Sequence, residues 1–214
     1  MVPAAMRGNL VKTNAGSPSE FAFYARLIHN RISGFPHKMS WLIREGTLTL
    51  TGAETYNLKT TFPDLVRVYH IPTSQVGGRE VPYQSLRDYN LTPSGGARMT
   101  IIGHTLKLSG TLTGTLTIPY YSNYLVLDND GTTRKLDFES DDDESIVPEE
   151  HTSILVEGIL DYVRRKENKR FKQNFLLPDG RLVEMEPCAY HLQQAALADR
   201  PIQQGIYSLR YAPF

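Results

Sequence analysis

At 214 residues, 40% of them hydrophobic and 21% charged, the chain can bury a sizeable core in one or two domains, and this composition excludes a disordered polymer. Lys plus Arg and Asp plus Glu each number 23, so the formal net charge is zero and gives no reason to expect nucleic acid or an anionic membrane as the main partner. Cys188 is the one cysteine, which excludes an internal disulfide and a cysteine-built zinc site in a single chain; with no leader-like pattern in Met1–Thr13 and no apolar run of bilayer length, synthesis in a reducing cytoplasm is expected.

Ser17-Pro18-Ser19-Glu20 is the first helix start: Ser17 can cap, Pro18 suits the first helical position and Glu20 can complete a capping box. Phe21, Tyr24, Ala25, Ile28 and Ile32 follow at helical spacing as one apolar stripe, and Ser33-Gly34-Phe35-Pro36 ends the helix. A short second helix is expected to carry Met39, Trp41, Leu42 and Ile43 up to Gly46. From Gly46 the period changes to two. Thr47-Leu48-Thr49-Leu50, Leu106-Lys107-Leu108 and Thr115-Leu116-Thr117-Ile118 alternate as half-buried strands, with Leu inward and β-branched Thr outward. Leu65–Ile71, Arg79–Tyr83, Arg98–Ile102 and Tyr124–Leu127 are further strand candidates, separated by Gly, Pro, Asn and Asp.

Asp137–Glu150 is acidic and reads as a solvated connection leaving the β-region. Pro148 opens another helix whose first turn, Glu149 and Glu150, suits the positive end of the helix dipole; Ile154, Leu155, Ile159, Tyr162 and Val163 are expected to supply its buried side. The basic run Arg164–Lys172 comes next. A last helix is expected from Pro187 to Asp199, stopped by Pro201, and Ile202–Phe214 is expected to be extended. The fold expected is therefore α+β, with helical N- and C-terminal segments framing a central antiparallel β-sandwich or barrel-like domain and an extended C-terminal tail. Its boundaries are N-terminal helices at 1–45, the β-domain at 46–138, an acidic linker at 139–147, and C-terminal helices with the tail at 148–214. Segments 1–45 and 148–201 are expected to pack together as one helical domain.

No enzyme site can be assembled from these residues, and neither a cofactor nor a metal is expected. Gly77-Gly78 and Gly95-Gly96 sit between strand candidates as turns, without the Lys-Ser/Thr of a phosphate loop. Cys188 and His191 are too close on one helix for a nucleophile–base pair, and the core reading of Cys188 is favoured. The six histidines show no close ligand spacing, and Asp141-Asp142-Asp143-Glu144 lacks the alternating ligands and central glycine of a calcium loop. Asp64, Glu80 and Asp88 are carboxylates in the β-region, and Trp41, Tyr120, Tyr121 and Tyr124 are aromatics that stack on sugars in some β-proteins, though core or interface is the commoner use of both.

Several motifs carry a resemblance. Tyr56-Asn57-Leu58 followed by Phe62-Pro63-Asp64-Leu65-Val66, the segment Met99–Leu108 with its Gly103-His104 turn, Gly114-Thr115-Leu116-Thr117-Ile118-Pro119-Tyr120-Tyr121, and the helix from Pro148 to Val163 with Ile154-Leu155 and Gly158 stand in one order. Together they resemble the head-to-tail adaptor proteins of short-tailed bacteriophages over roughly Phe21–Asp199, with the proline of the first motif displaced and Phe171–Glu186 fitting less clearly. The resemblance implies a virion protein made in the host bacterial cytoplasm, non-catalytic, forming a twelve-subunit ring under the portal protein and offering a face to tail nozzle, hub or fibre proteins.

Candidate interface residues follow from that reading. Asp141 and Asp142 of the acidic segment are expected to meet Arg164, Arg165, Lys169 and Arg170 of a neighbouring subunit, setting register more than affinity. Tyr207, Leu209, Tyr211 and Phe214 are expected to anchor the tail on a partner by strand addition or in a groove of the portal. The alternative readings are solvated charge, a tail packed on its own subunit, and a weak phosphate contact of the basic run with passing DNA. At the level of the whole protein the alternatives are another connector part, a stopper or tail-completion protein, or a carbohydrate-binding β-domain.

Overall fold

The computed structural model describes residues 19–36, 38–69, 73–76, 79–91, 96–166, 171–177 and 180–210. In chain order these form α1 (Glu20–Gly34), a 3-10 turn (Ser40–Leu42), β1 (Ile43–Thr51), β2 (Thr55–Asn57), α2 (Leu58–Thr61), β3 (Leu65–Val68), β4 (Thr73–Val76), β5 (Arg79–Pro82), α3 (Leu86–Leu91), β6 (Arg98–Ile102), β7 (Thr105–Ser109) and β8 (Thr113–Ser122). There follow β9 (Val126–Leu127), β10 (Arg134–Lys135), β11 (Glu144–Ser145), a second 3-10 turn (Glu149–His151), α4 (Ser153–Lys166), β12 (Gln173–Leu176), β13 (Leu182–Met185) and α5 (Pro187–Arg210). The fold is α+β, with several small antiparallel sheets and two compact units: Ile43–Asn123, and Met1–Leu42 with Tyr124–Phe214.

The first unit is built on alternation. β8 lies between β1 and β3, and β7 between β2 and β6. Opposite β1, β8 places Leu48 against Leu116 and Thr47 against Thr117, so one face is aliphatic and the other polar. Leu48, Leu50, Leu106, Leu108, Leu116 and Ile118 are buried as their period predicts, and they share a core with Leu58, Phe62, Leu65 and Met99. Each contributes on the order of 2 kcal/mol by leaving water. Gly46 is needed by this packing, because a Cβ there would stand 2.4 Å from Cε1 of the Phe62 ring. Phe62 in turn stacks on Tyr120, with ring centroids 5.1 Å apart.

The second unit sets α1 against α4, and α4 against α5. Its closest approach is at Gly158, where a Cβ would meet Ile28 Cδ1 at 2.4 Å and Cys188 Sγ at 3.2 Å. α1 begins two residues later than a Ser17 cap implies: Ser19 is the N-cap and accepts the Ala22 N–H at 3.2 Å. The 3-10 turn is tied to α5 by Asp199, whose carboxylate accepts the Ser40 N–H at 2.8 Å and the Ser40 hydroxyl.

Several expectations are corrected. Trp41 and Leu42 sit in a single 3-10 turn rather than an α-helix, and Ile43 already begins β1, because the β1–β8 register runs on to the Ile43–Tyr121 pair. The buried stripe of α1 is Ala22, Ala25, Ile28, His29 and Ile32, while Phe21 is 42% exposed. That of α4 runs through Ile154, Gly158 and Asp161, because close approach at Gly158 sets which side turns inward; Val163 is exposed and Leu155, Ile159 and Tyr162 are half-buried. The acidic stretch is no bare connection, since Asp143 is buried in a loop closed on Lys135. Pro201 does not stop the last helix, which runs on to Arg210, so the tail is helical as far as that residue rather than extended. A proline removes one backbone donor, and neighbours as helix-favouring as Ala195, Ala196, Gln203 and Gln204 carry the helix past that loss.

Candidate functional site

The helical unit leaves much of its apolar surface uncovered. α1 carries Phe21-Ala22-Phe23-Tyr24-Ala25 and α4 carries Ile154-Leu155-Val156 and Ile159-Leu160, so both helices are apolar on more than one face and a single packing contact cannot cover them. Phe23 is 54% exposed and Val156 51%, and Leu160 and Val163 are exposed as well. Tyr24 stacks on Tyr162, with centroids 6.0 Å apart, and joins the two exposed faces. Along these helices runs a groove of about 350 Å³, walled by Phe21, Ala25, Phe138, Leu155, Val156 and Ile159.

At the groove's inner wall His29 Nε2 lies 3.0 Å from Ser145 Oγ, and its ring stacks on Phe138. Burial pushes the His29 pKa down from 6.5 to about 4, so the ring is neutral at pH 7. Among the described residues Nδ1 has no hydrogen-bond partner. The contact links α1 to β11.

Asp141 and Asp143 close the groove's polar wall. Burial works to raise the Asp143 pKa, but the Lys135 ammonium at 2.8 Å and the backbone N–H groups of Ser140 and Glu139 outweigh it and hold the carboxylate ionised. Lys135 also contacts Asp128 at 3.1 Å, so this lysine gathers the acidic loop around itself. Asp141 and Asp142 remain exposed at its rim.

The basic residues expected to reach a neighbour are engaged within the chain. Arg165 pairs with Glu186, which also takes Arg31 at 3.1 Å. Arg164 lies 3.7 Å from Glu157 and 3.8 Å from Asp161, and its guanidinium sits over the Phe171 ring at 4.2 Å. Burial first, and then the Glu186 charge, raise the Asp161 pKa. The structure thus brings Asp141 to the groove and leaves Asp142 exposed beside it in the acidic loop, and it brings Arg164 and Arg165 to the junction of α4 with the start of α5. Lys169 and Arg170 lie outside the described residues. Tyr207 and Leu209 fall in the helical backbone of α5, and Tyr211 and Phe214 lie outside the described residues.

In the β-rich unit Asp64, Tyr120 and Tyr121, which stand in the motifs that carried the resemblance, are built into a sheet. Asp64 is buried just before β3 and accepts hydrogen bonds from Ser122 Oγ at 2.6 Å, Tyr120 Oη at 2.9 Å and Arg44 Nη1 at 3.1 Å, so one carboxylate ties all three strands of the β1–β8–β3 sheet. Burial alone would raise its pKa; these donors together bring it below the ordinary carboxylate value. Tyr120 and Tyr121 are buried and offer no open face for a sugar ring. Cys188 is also buried, and burial pushes its thiol up to about 11.

Two features escaped the sequence reading. Phe23, Val156 and Leu160 were hidden in plain apolar helices. The β12–β13 hairpin was signalled by Leu177-Pro178-Asp179-Gly180 between apolar runs, and it carries Leu176 and Leu182 as a directly opposed pair, 65% and 66% exposed. Among the described residues no helix is long and apolar enough to cross a membrane. Compared with known proteins, the chain matches no family model and no curated sequence.

Proposed function

We propose that this chain is a structural virion protein, a head-to-tail adaptor of a short-tailed bacteriophage. It forms a ring on the portal protein and provides the docking face for tail components. The observation that carries this reading is the uncovered apolar face of α1 and α4, where Phe21, Phe23, Val156, Leu160 and Val163 are exposed on a folded frame. Exposed apolar area on that scale, rimmed by charge, is what a protein that assembles keeps open for partners. The motif order from Tyr56 to Gly158 supports the adaptor in particular. In this reading the small sheets of Ile43–Asn123 curl into one barrel- or sandwich-like body, and the end of α5, with Tyr207 and Leu209 in its backbone, meets the portal as a helix in a groove.

The test is electron microscopy of the purified chain, alone and mixed with the portal ring of its own particle. Closed twelvefold rings are expected. A sixfold ring identifies a stopper or tail-completion part instead, and a chain that stays monomeric in both samples overturns the assembly reading.

A further inference from the structure

We propose that the leucine pair of the β12–β13 hairpin in one copy seats in the α1/α4 groove of a second copy. This rests on the assembly reading above and names its interface. Leu176 and Leu182 face each other across the hairpin and, at 65% and 66%, are the most exposed large hydrophobic residues among those described. A two-stranded hairpin does not stand alone in water. This one is held by Phe175, whose ring stacks on Tyr190 with centroids 4.1 Å apart, so the leucines are presented on an anchored element. The groove, at about 350 Å³, has room for such a pair, and its walls of Phe21, Ala25, Leu155, Val156 and Ile159 are apolar.

Charge agrees with this seating. Arg181 adjoins Leu182 on the hairpin, and the acidic loop that supplies Asp141 and Asp143 to the groove wall also carries the exposed Asp142 and Glu144. The occupant is a second copy's hairpin, since a copy's own Leu176 and Leu182 are exposed and neither lines its own groove. The groove uses Thr152 and the first half of α4, as far as Ile159, whereas the hairpin is fastened toward the other end, where Arg164 covers Phe171 and Tyr190 lies in the first turn of α5. Along α4 the groove ends at Ile159 and the hairpin is fastened from Arg164 onward, five residues or about 7.5 Å further on, so the two features use different stretches of the helix. A protruding element on one side and a receiving groove on the other make a head-to-tail contact, and such contacts close into rings when the rotation allows.

The experiment uses the full chain with two half-defective variants. L176D/L182D spoils the hairpin and leaves the groove; V156D spoils the groove and leaves the hairpin. Each alone is expected to lose self-association by roughly 30-fold or more, the scale of one interface hot spot. Mixed together they are expected to form a one-to-one heterodimer and nothing larger, read by mass photometry. A L176C/V156C variant is expected to give oligomer ladders on oxidation while each single cysteine variant stops at dimer or monomer. The buried Cys188 stays out of this chemistry. The crosslink also decides the matter if an aspartate variant fails to fold. Rings that persist in both aspartate variants, with no ladder, overturn the hairpin contact and leave the assembly reading standing. A wild-type chain that never assembles, alone or on the portal, overturns both.

Discussion

The two units treat apolar surface in opposite ways. In Ile43–Asn123 alternating strands turn Leu48, Leu50, Leu116 and Ile118 inward and leave threonines in water, and among the described residues only Leu86 and Ile102 stand out as exposed large hydrophobics. The helical unit exposes Phe21, Phe23, Val156, Leu160, Val163, Leu176 and Leu182. A sheet face with period two can be covered completely by its own sheet partners, whereas helices apolar on two faces cannot be covered by one neighbour. On the proposed function, the first unit is a finished body and the second keeps an open face for a partner. Substitutions in the first should act on stability, and substitutions on the open face of the second should act on assembly.

The largest effect on stability is expected at Asp64. Asp64→Ala removes the buried acceptor that Arg44, Tyr120 and Ser122 share, which should cost about 3 kcal/mol in urea unfolding. Tyr120→Phe removes one donor of three and should cost about 1 kcal/mol. Because the Asp64 pKa is lowered on folding from 3.8, its stabilisation is complete above that value and is lost as pH falls through the lower folded pKa. Equal losses for the two variants would show that Asp64 does not hold the sheet together.

The next effect belongs to the helical unit and appears with pH. His29 is neutral when folded, with a pKa of about 4 against 6.5 unfolded, so between those values the unfolded chain binds the extra proton. Stability should therefore rise from pH 4 to pH 6.5 by about 3 kcal/mol and be flat above it. In His29→Gln, which keeps a polar contact for Ser145 but cannot titrate, this slope should vanish. A slope of the same size in that variant would assign it to other groups. Gly158→Ala comes after it, at about 1–3 kcal/mol, because the added methyl meets Ile28 and Cys188 where α1, α4 and α5 converge. Thermal unfolding at pH 7 measures it.

The same contrast explains what the sequence disclosed. Strand faces were legible because alternation names the inward residue outright: Leu48 and Leu116 were assigned correctly with no knowledge of the partner strand. Helix faces were not, since Phe21, Ala22, Phe23, Tyr24 and Ala25 fill every direction around α1 and only the Gly158 contact settles which side is covered. Charge partners were also hidden. Arg165 finds Glu186, distant in the chain and adjacent only after α5 has docked. The acidic run read as solvated because its organiser, Lys135, stands outside it and burial of Asp143 cannot be inferred from a string of carboxylates. The groove inherits each of these difficulties, being made of helix faces that composition leaves ambiguous and of a loop whose closure depends on one lysine.

The smallest stability effect is expected on the open face, and its smallness is the informative part. Leu160 is 38% exposed, and Leu160→Gln keeps a side chain of similar length and good helix propensity whose stem retains part of the contact; the change in unfolding free energy should be about 0.5–1 kcal/mol. The same substitution should reduce binding of an apolar fluorescent dye and shift self-association toward monomer, because it removes surface that the isolated chain has no use for. A clear loss of stability without either change would mean that Leu160 belongs to the unit's own core. The division between a finished body and an open one would then have to be redrawn at α4.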